Sequence, residues 1–247
     1  MSNRFFNDHI RLPFIGKPGV DTVKRKRVLV IGAGGLGCPV ISALASSGIG
    51  HLAIADGDRV ETRNLARQYL YTPSQVGEFK TTAAITYLKT RYLDTTFEAY
   101  PVFVDAENVH SLVDAYDLVV DATDNFRSRA LIGQACHALG RPQVYGAIFR
   151  SEGQVTAFNC SEQQGTLSDL FAIDGATMEG TPCMESGTYV VGSMVIGALM
   201  ANEAIKVLLG LPDVLAGKML LLDVLTLQQR IVHFPKPLVD STAHFSE

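Results

Sequence analysis

The residues able to do chemistry begin at Gly32-x-Gly34-x-x-Gly37, a glycine turn between a β-branched run and a helical one. Backbone N–H groups left free at the first turn of such a helix, together with the positive end of its dipole, form an anion site. Asp56 closes the next apolar run, where a carboxylate accepts hydrogen bonds from ribose hydroxyls. Glycines at this spacing also serve plain helix–sheet packing, and the loop alone does not separate ATP from NAD.

Three further groups separate them. Asp58 is followed by Asn64-Leu65-Ala66-Arg67-Gln68, Lys80 opens a helical stretch, and Asp121-Ala122-Thr123-Asp124-Asn125 closes another apolar run. Two cations, Arg67 and Lys80, facing carboxylates that include Asp124, suit attack on a phosphorus. A triphosphate needs cationic neutralisation, and Mg²⁺ is held by one or two carboxylates plus phosphate oxygens. Hydride transfer needs no such arrangement. A carboxylate nucleophile is ionised at neutral pH and requires no general base. Asp124 and Asn125 have a second use, as caps of the helix that follows them.

These groups act together only if the chain brings them to one edge. Residues 28–31 read as strand, 39–47 as helix and 51–55 as strand. Residues 79–92 read as helix, 97–104 as strand, 108–115 as helix, 117–121 as strand and 126–139 as helix, with another strand through Val144. Alternation of this kind predicts a doubly wound parallel sheet, whose strand ends share one crevice. Beyond residue 150 the pattern changes to strands over 154–159, 219–223 and 227–234, a loop over 160–182 and a long helix over 187–209. These strands are expected to extend the same sheet, with the tail after Pro235 loosely held.

Composition sets limits. Hydrophobic residues make up 47% and charged residues 19% of 247, enough for a large core. The net charge of −4 comes without a basic stripe, which disfavours nucleic acid as a partner. The N-terminus lacks the apolar core of a signal peptide. The longest apolar stretch, 189–201, falls short of a membrane span. A cytoplasmic protein is expected. Cys38, Cys136, Cys160 and Cys183 form no C-x-x-C pair; Cys38 and Cys136 are assigned to packing.

The run VLVIGAGGLGCPVISALASSGIGHLAIADGDRVETRNLARQ, Lys80, DATDN, EGQVTAFN and CMESG before VVGSMVIGALMANEAIKVLLG together resemble the MoeB/ThiF/HesA family across residues 5–234. The resemblance implies a Rossmann-like, mostly parallel sheet in one domain over 1–247, with a nucleotide-binding half (25–150) and a carrier-binding and dimer half (151–235). It implies a homodimer that adenylates the C-terminal Gly-Gly carboxylate of a small ubiquitin-like sulfur carrier with Mg-ATP. Gly32, Gly34, Gly35 and Gly37 would line the nucleotide and Asp56 hold its ribose. Asn64, Arg67 and Lys80 would contact the phosphates, with Asp58 and Gln68 in the same set. Asp124 would position Mg²⁺, with Asn125 beside it. Cys183 matches a cysteine that forms covalent links in some relatives and is dispensable for adenylation in others; a buried structural thiol is the other reading.

Two departures stand out. The paired cysteines that hold a structural zinc in many relatives are missing around residues 163–166 and near the C-terminus, so no structural zinc is expected. Asp8 stands where relatives supply an arginine to the neighbouring subunit, with Arg11 or Arg4 as substitutes. The other readings are adenylation of a peptide or modified-tRNA carboxylate, an NAD-dependent oxidoreductase, and a non-catalytic ATP-binding partner.

Overall fold

The computed structural model describes residues 6–160 and 187–234. All but the first residue of the expected loop over 160–182, the zinc-cysteine positions, Arg4 and Cys183 lie outside the described residues.

Eight strands form one sheet: β1 (Arg27–Ile31), β2 (His51–Ala55), β3 (Thr96–Tyr100), β4 (Leu118–Asp121), β5 (Gln143–Phe149), β6 (Glu152–Phe158), β7 (Lys218–Asp223) and β8 (Gln228–His233). Their order is β3-β2-β1-β4-β5-β6-β7-β8. The first five are parallel, and β6, β7 and β8 continue antiparallel from β5. The mostly parallel sheet with an antiparallel extension matches the expectation from sequence.

The parallel strands are buried on both faces, which is why they read as unbroken apolar runs. Side chains alternate across the sheet. Val28 and Val30 join Leu52, Ile54 and Val120 under helices α3 (Gly37–Ser46), α4 (Lys80–Lys89) and α7 (Val190–Leu209). Leu29, Ile31 and Val119 face the opposite way, against α5 (Val109–Asp114) and α6 (Phe126–Ala138). A smaller apolar group, Tyr145, Ala147, Phe158 and Met219, covers the same sheet beyond α6.

Two short helices precede β1, α1 (Asn7–Arg11) and α2 (Gly16–Val23), and neither was expected. Proline and glycine punctuate this segment, and α2 buries only Val20 and Val23. Its buried face is therefore small.

Helix α7 corrects a second expectation. At 20 residues it is long and apolar enough, by length and composition, to cross a membrane. The apolar stretch ends at Asn202 and Glu203, but the helix runs on to Leu209, where the expected helix over 187–209 also ends. Glu203 is buried because its Oε1 accepts the Leu215 amide and its Oε2 pairs with Lys206, both at 2.5 Å. A carboxylate with two such partners does not break a core helix. Ile196, Met200 and Ala204 are fully buried where α7 packs on α3, β5 and β6.

The crossing of α7 over α3 is closest at Gly197. A Cβ there would lie 2.3 Å from Cγ of Pro39 and 2.7 Å from the Leu36 carbonyl oxygen. Both belong to the turn that starts α3. Gly197→Val is expected to lower stability by about 1–3 kcal/mol through overpacking. Urea unfolding should show a lower midpoint with an unchanged slope. An unchanged midpoint would contradict the close approach.

Candidate active site

The glycine loop leaves β1 where three parallel strands end side by side. The Gly32 amide donates to the Ala55 carbonyl and the Ala122 amide to the Ile31 carbonyl, each at 2.8 Å. These bonds place the ends of β2 and β4 against the loop. Gly32 has φ +96°, and a Cβ on it would meet the Ala122 carbonyl oxygen at 2.6 Å. Only glycine fits that turn.

Asp56 fixes the loop. Its Oδ2 accepts the Ala33 amide at 2.7 Å and its Oδ1 accepts the Asp58 amide at 2.8 Å. The Ala33 amide is therefore committed to protein, a difference from the simple picture of a fully open helix start. The Ala33 carbonyl is held as well, accepting the Tyr71 hydroxyl at 2.6 Å and the Cys38 thiol at 3.6 Å. The amides of Gly34, Gly35 and Leu36 have no hydrogen-bond acceptor among the described residues. Each Asp56 oxygen keeps a further acceptor position.

Lys80, at the start of α4, has a side chain only 6% exposed. Its Nζ donates to Oδ2 of Asp58 at 2.7 Å and lies 4.0 Å from Oδ2 of Asp56. Asp58, placed with the nucleotide residues from sequence, is thus the direct ion-pair partner of Lys80. Burial pushes the Asp56 carboxyl above its ordinary value, while Lys80 and the two amides pull it back.

The segment between Asp58 and Lys80 returns to the loop. Asn64 is buried and closes a turn, its carbonyl accepting the Arg67 and Gln68 amides. The Arg67 side chain lies against Gly35, with Cδ 3.6 Å from where a Cβ would stand. Gln68 is buried beside Gly34, and its Oε1 has no hydrogen-bond partner among the described residues. An orphaned buried oxygen beside unpaired loop amides marks a place built for a polar ligand. Ser193 of α7 approaches Gly35 from the other side.

At the end of β4, Asp124 and Asn125 are exposed. The Asn125 side chain caps α6, accepting the Ser128 amide at 2.9 Å. Among the described residues no group of three or more His, Cys, Asp or Glu could hold a metal alone. Mg²⁺ bound to a nucleotide draws most of its ligands from phosphate and water. A single exposed carboxylate at this strand end fits that need.

The structure brings the glycines, Asp56, Asp58, Asn64, Arg67, Gln68 and Lys80 together, with Asp124 and Asn125 on the adjoining strand end. Sequence reasoning missed Tyr71, Ser193 and Arg129, which fix the loops from behind. Arg129 had a readable signal, a charge on the helix face that buries Ile132 and Cys136. Burial pushes the Cys38 thiol up to about 12 and the Cys160 thiol up to about 11. Neither is a thiolate at neutral pH. Asp8 and Arg11 sit on α1, whose His9 meets Ser47 across a cavity at the end of α3 remote from the glycine loop. Neither reaches the glycine-loop crevice.

Asp56 titrates higher folded than unfolded, so ionising it costs stability as pH rises from the unfolded value to the folded one. Lys80 narrows that interval. Lys80→Met is expected to cost about 1–3 kcal/mol at neutral pH, below the full penalty for a buried pair because Asp58 is half exposed. The deficit should shrink as pH falls through the raised value of the buried Asp56 carboxyl, below which that group is neutral. Urea unfolding at several pH values checks this, and a pH-independent deficit would contradict it.

The profile of the ThiF family matches residues 6–241. A sulfur carrier protein adenylyltransferase of Thermus thermophilus is 43% identical over 218 residues, covering 87% of this chain and 80% of that protein. An adenylyltransferase and sulfurtransferase MOCS3 of Culex quinquefasciatus is 39% identical over 88% of this chain, which spans 50% of its length. Among solved structures, E. coli MccB with ATP superposes with a TM-score of 0.82 over 98% of this chain and 74% of that one. At 22% identity that likeness speaks for the fold alone. The chain belongs to the ThiF family.

Proposed function

We propose that this protein transfers the adenylyl group of Mg-ATP to the C-terminal glycine carboxylate of a small ubiquitin-like sulfur-carrier protein, releasing pyrophosphate. The carrying observation is that the loop amides of Gly34, Gly35 and Leu36 have no acceptor among the described residues and are flanked by buried Gln68 and by the cations Lys80 and Arg67. The Thermus thermophilus relative, named for adenylation of a sulfur carrier and matched over most of both chains, supports the choice of substrate.

In this reading Asp56 accepts ribose hydroxyls with its remaining acceptor positions, and the loop amides cradle the phosphates. Asn64, Arg67, Gln68 and Lys80 hold the triphosphate so that its α-phosphorus faces the incoming tail. Asp124 would hold Mg²⁺, with Asn125 beside it; when bound, the ion neutralises charge on the phosphate oxygens. A carboxylate oxygen of the carrier attacks the α-phosphorus and forms a new O–P bond. The bond from that phosphorus to the bridging oxygen breaks, and pyrophosphate leaves with the electron pair. No proton moves, so positioning and charge stabilisation supply the rate.

The protein acts as a cytoplasmic homodimer in this account. Tyr189, Val191 and Met194 leave an apolar face on the first turns of α7, beside a groove lined by Pro39, Ser42, Tyr69 and Tyr92. A second copy fits that surface. Any cation replacing the arginine at Asp8 then comes from a neighbour, because α1 lies at the far end of α3. Asp8 itself favours a second reading, an ATP-binding partner without catalysis.

ATP–pyrophosphate exchange with a carrier ending in Gly-Gly separates the two. Carrier-dependent exchange is expected, and Asp124→Ala should lower it by about 10²-fold or more. Tight ATP binding without exchange would favour the non-catalytic reading. The adenylation step uses no thiol, so Cys183→Ala should retain exchange; its loss would place Cys183 in that step.

A further inference from the structure

Asp124 is the exposed member of a short loop whose other parts are tied down from inside the protein. On one side, Asn125 is fixed by its cap on α6. On the other, the Thr123 amide and hydroxyl both donate to Oδ1 of Asp121, at 3.0 Å and 2.7 Å. The Thr123 carbonyl, which opens the peptide to Asp124, accepts from Nη2 of Arg129 at 2.7 Å. Arg129 and Asp121 are both buried. The guanidinium lies 5.3 Å from the Tyr145 ring and 5.6 Å from the Phe126 ring. Its Nε has no hydrogen-bond partner among the described residues. A buried cation left with an idle donor is poorly explained by packing alone, since a Leu or Met would fill α6 at that place without desolvating a charge. Among the described residues its one side-chain hydrogen bond goes to the peptide next to Asp124.

We propose that Arg129 is a positioning residue for the adenylation site, holding the Thr123–Asp124 peptide so that the Asp124 carboxylate points at the metal–phosphate position. Arg129 touches no substrate; besides its bond to this loop, its charge offsets that of the buried Asp121 carboxylate. The proposal rests on the reading of Asp124 as the Mg²⁺ ligand, so its test measures Asp124 in parallel. With Arg129 removed, the Thr123 carbonyl loses a charge-assisted donor inside the protein and the peptide is free to rotate.

Calorimetric titration of ATP is done with excess EDTA and with Mg²⁺ on wild type, Arg129→Met, Arg129→Lys and Asp124→Ala, alongside exchange against Mg²⁺ concentration. The gain in ATP affinity on adding Mg²⁺ is the diagnostic quantity. Arg129→Met should lower that gain and raise the half-saturating Mg²⁺ by about 10-fold, the size of one hydrogen bond to a charged group. Its metal-free ATP affinity should stay within about 2-fold of wild type, a change of under 0.5 kcal/mol. Asp124→Ala should show the same pattern. Arg129→Lys keeps the charge and one donor but not the planar fork, so it should recover about half of the loss in free energy and leave the gain about 3-fold below wild type.

A folded Arg129→Met with an unchanged Mg²⁺ gain, while Asp124→Ala loses it, overturns the positioning role and leaves the metal reading intact. No change in either variant overturns both. Equal loss with and without Mg²⁺ in Arg129→Met also overturns the proposal, because the residue would then support the whole site. If Arg129→Met does not fold, Arg129→Lys decides: a gain reduced by about 3-fold at constant metal-free affinity supports the role. An unchanged gain with a lowered melting temperature reduces Arg129 to a structural residue and overturns it.

Discussion

The hydrogen bonds from the Ala33 and Asp58 amides to the Asp56 carboxylate organise the rest of this site. Through them one side chain at the end of β2 sets both the glycine loop after β1 and the chain that departs toward α4. A carboxylate buried this deeply is unfavourable without compensation, and Lys80 supplies it. Lys80 is fixed in turn: its amide donates to the Asp58 carbonyl, and its ammonium to the Asp58 carboxylate. The whole segment between these residues is thereby closed into a loop pinned at its base. Its turn at Asn64 delivers Gln68 beside Gly34 and Arg67 beside Gly35.

The second half of the chain completes the site by packing. Helix α7 crosses the first turn of α3 at Gly197 and sets Ser193 against Gly35. The glycine loop is thus held from the strand side by Asp56 and from the helix side by α7. A rigid frame with unpaired amides at its centre suits electrostatic preorganisation, in which donors are aimed before charge develops. The DATDN loop is set by the same logic on the neighbouring strand, with Asp121 and Arg129 underneath and Asp124 left at the surface.

Much of this was legible in the sequence, because buried parallel strands write themselves as apolar runs and turns as glycine or aspartate. The strand at 28–31 and the helix after it were readable for that reason, although α3 begins at Gly37 rather than at 39, with no side-chain cap to mark it. The strand expected through Val144 is longer in the structure. It runs on to Phe149 through Gly146, which reads as a breaker but makes room for Met200 of α7. Helices α1 and α2 were missed because their burial is slight. Asp58 illustrates a deeper limit: spacing shows that two carboxylates flank Gly57, and only the fold shows which one neutralises Lys80. Arg129 was overlooked because a lone arginine on a helix is usually solvated. Its burial follows from a strand, β5, that lies outside its own helix.

The central claim, that this crevice transfers an adenylyl group to a carrier carboxylate, is tested most directly by following label from ATP. The protein is incubated with a Gly-Gly carrier and ATP labelled in parallel at the α- and the γ-phosphate, and the carrier is isolated. The account predicts label on the carrier from the α-position only, released by hydroxylamine, with the γ-label recovered in pyrophosphate. Label reaching the carrier from the γ-position, or γ-label recovered as inorganic phosphate with none from the α-position on the carrier, would contradict it.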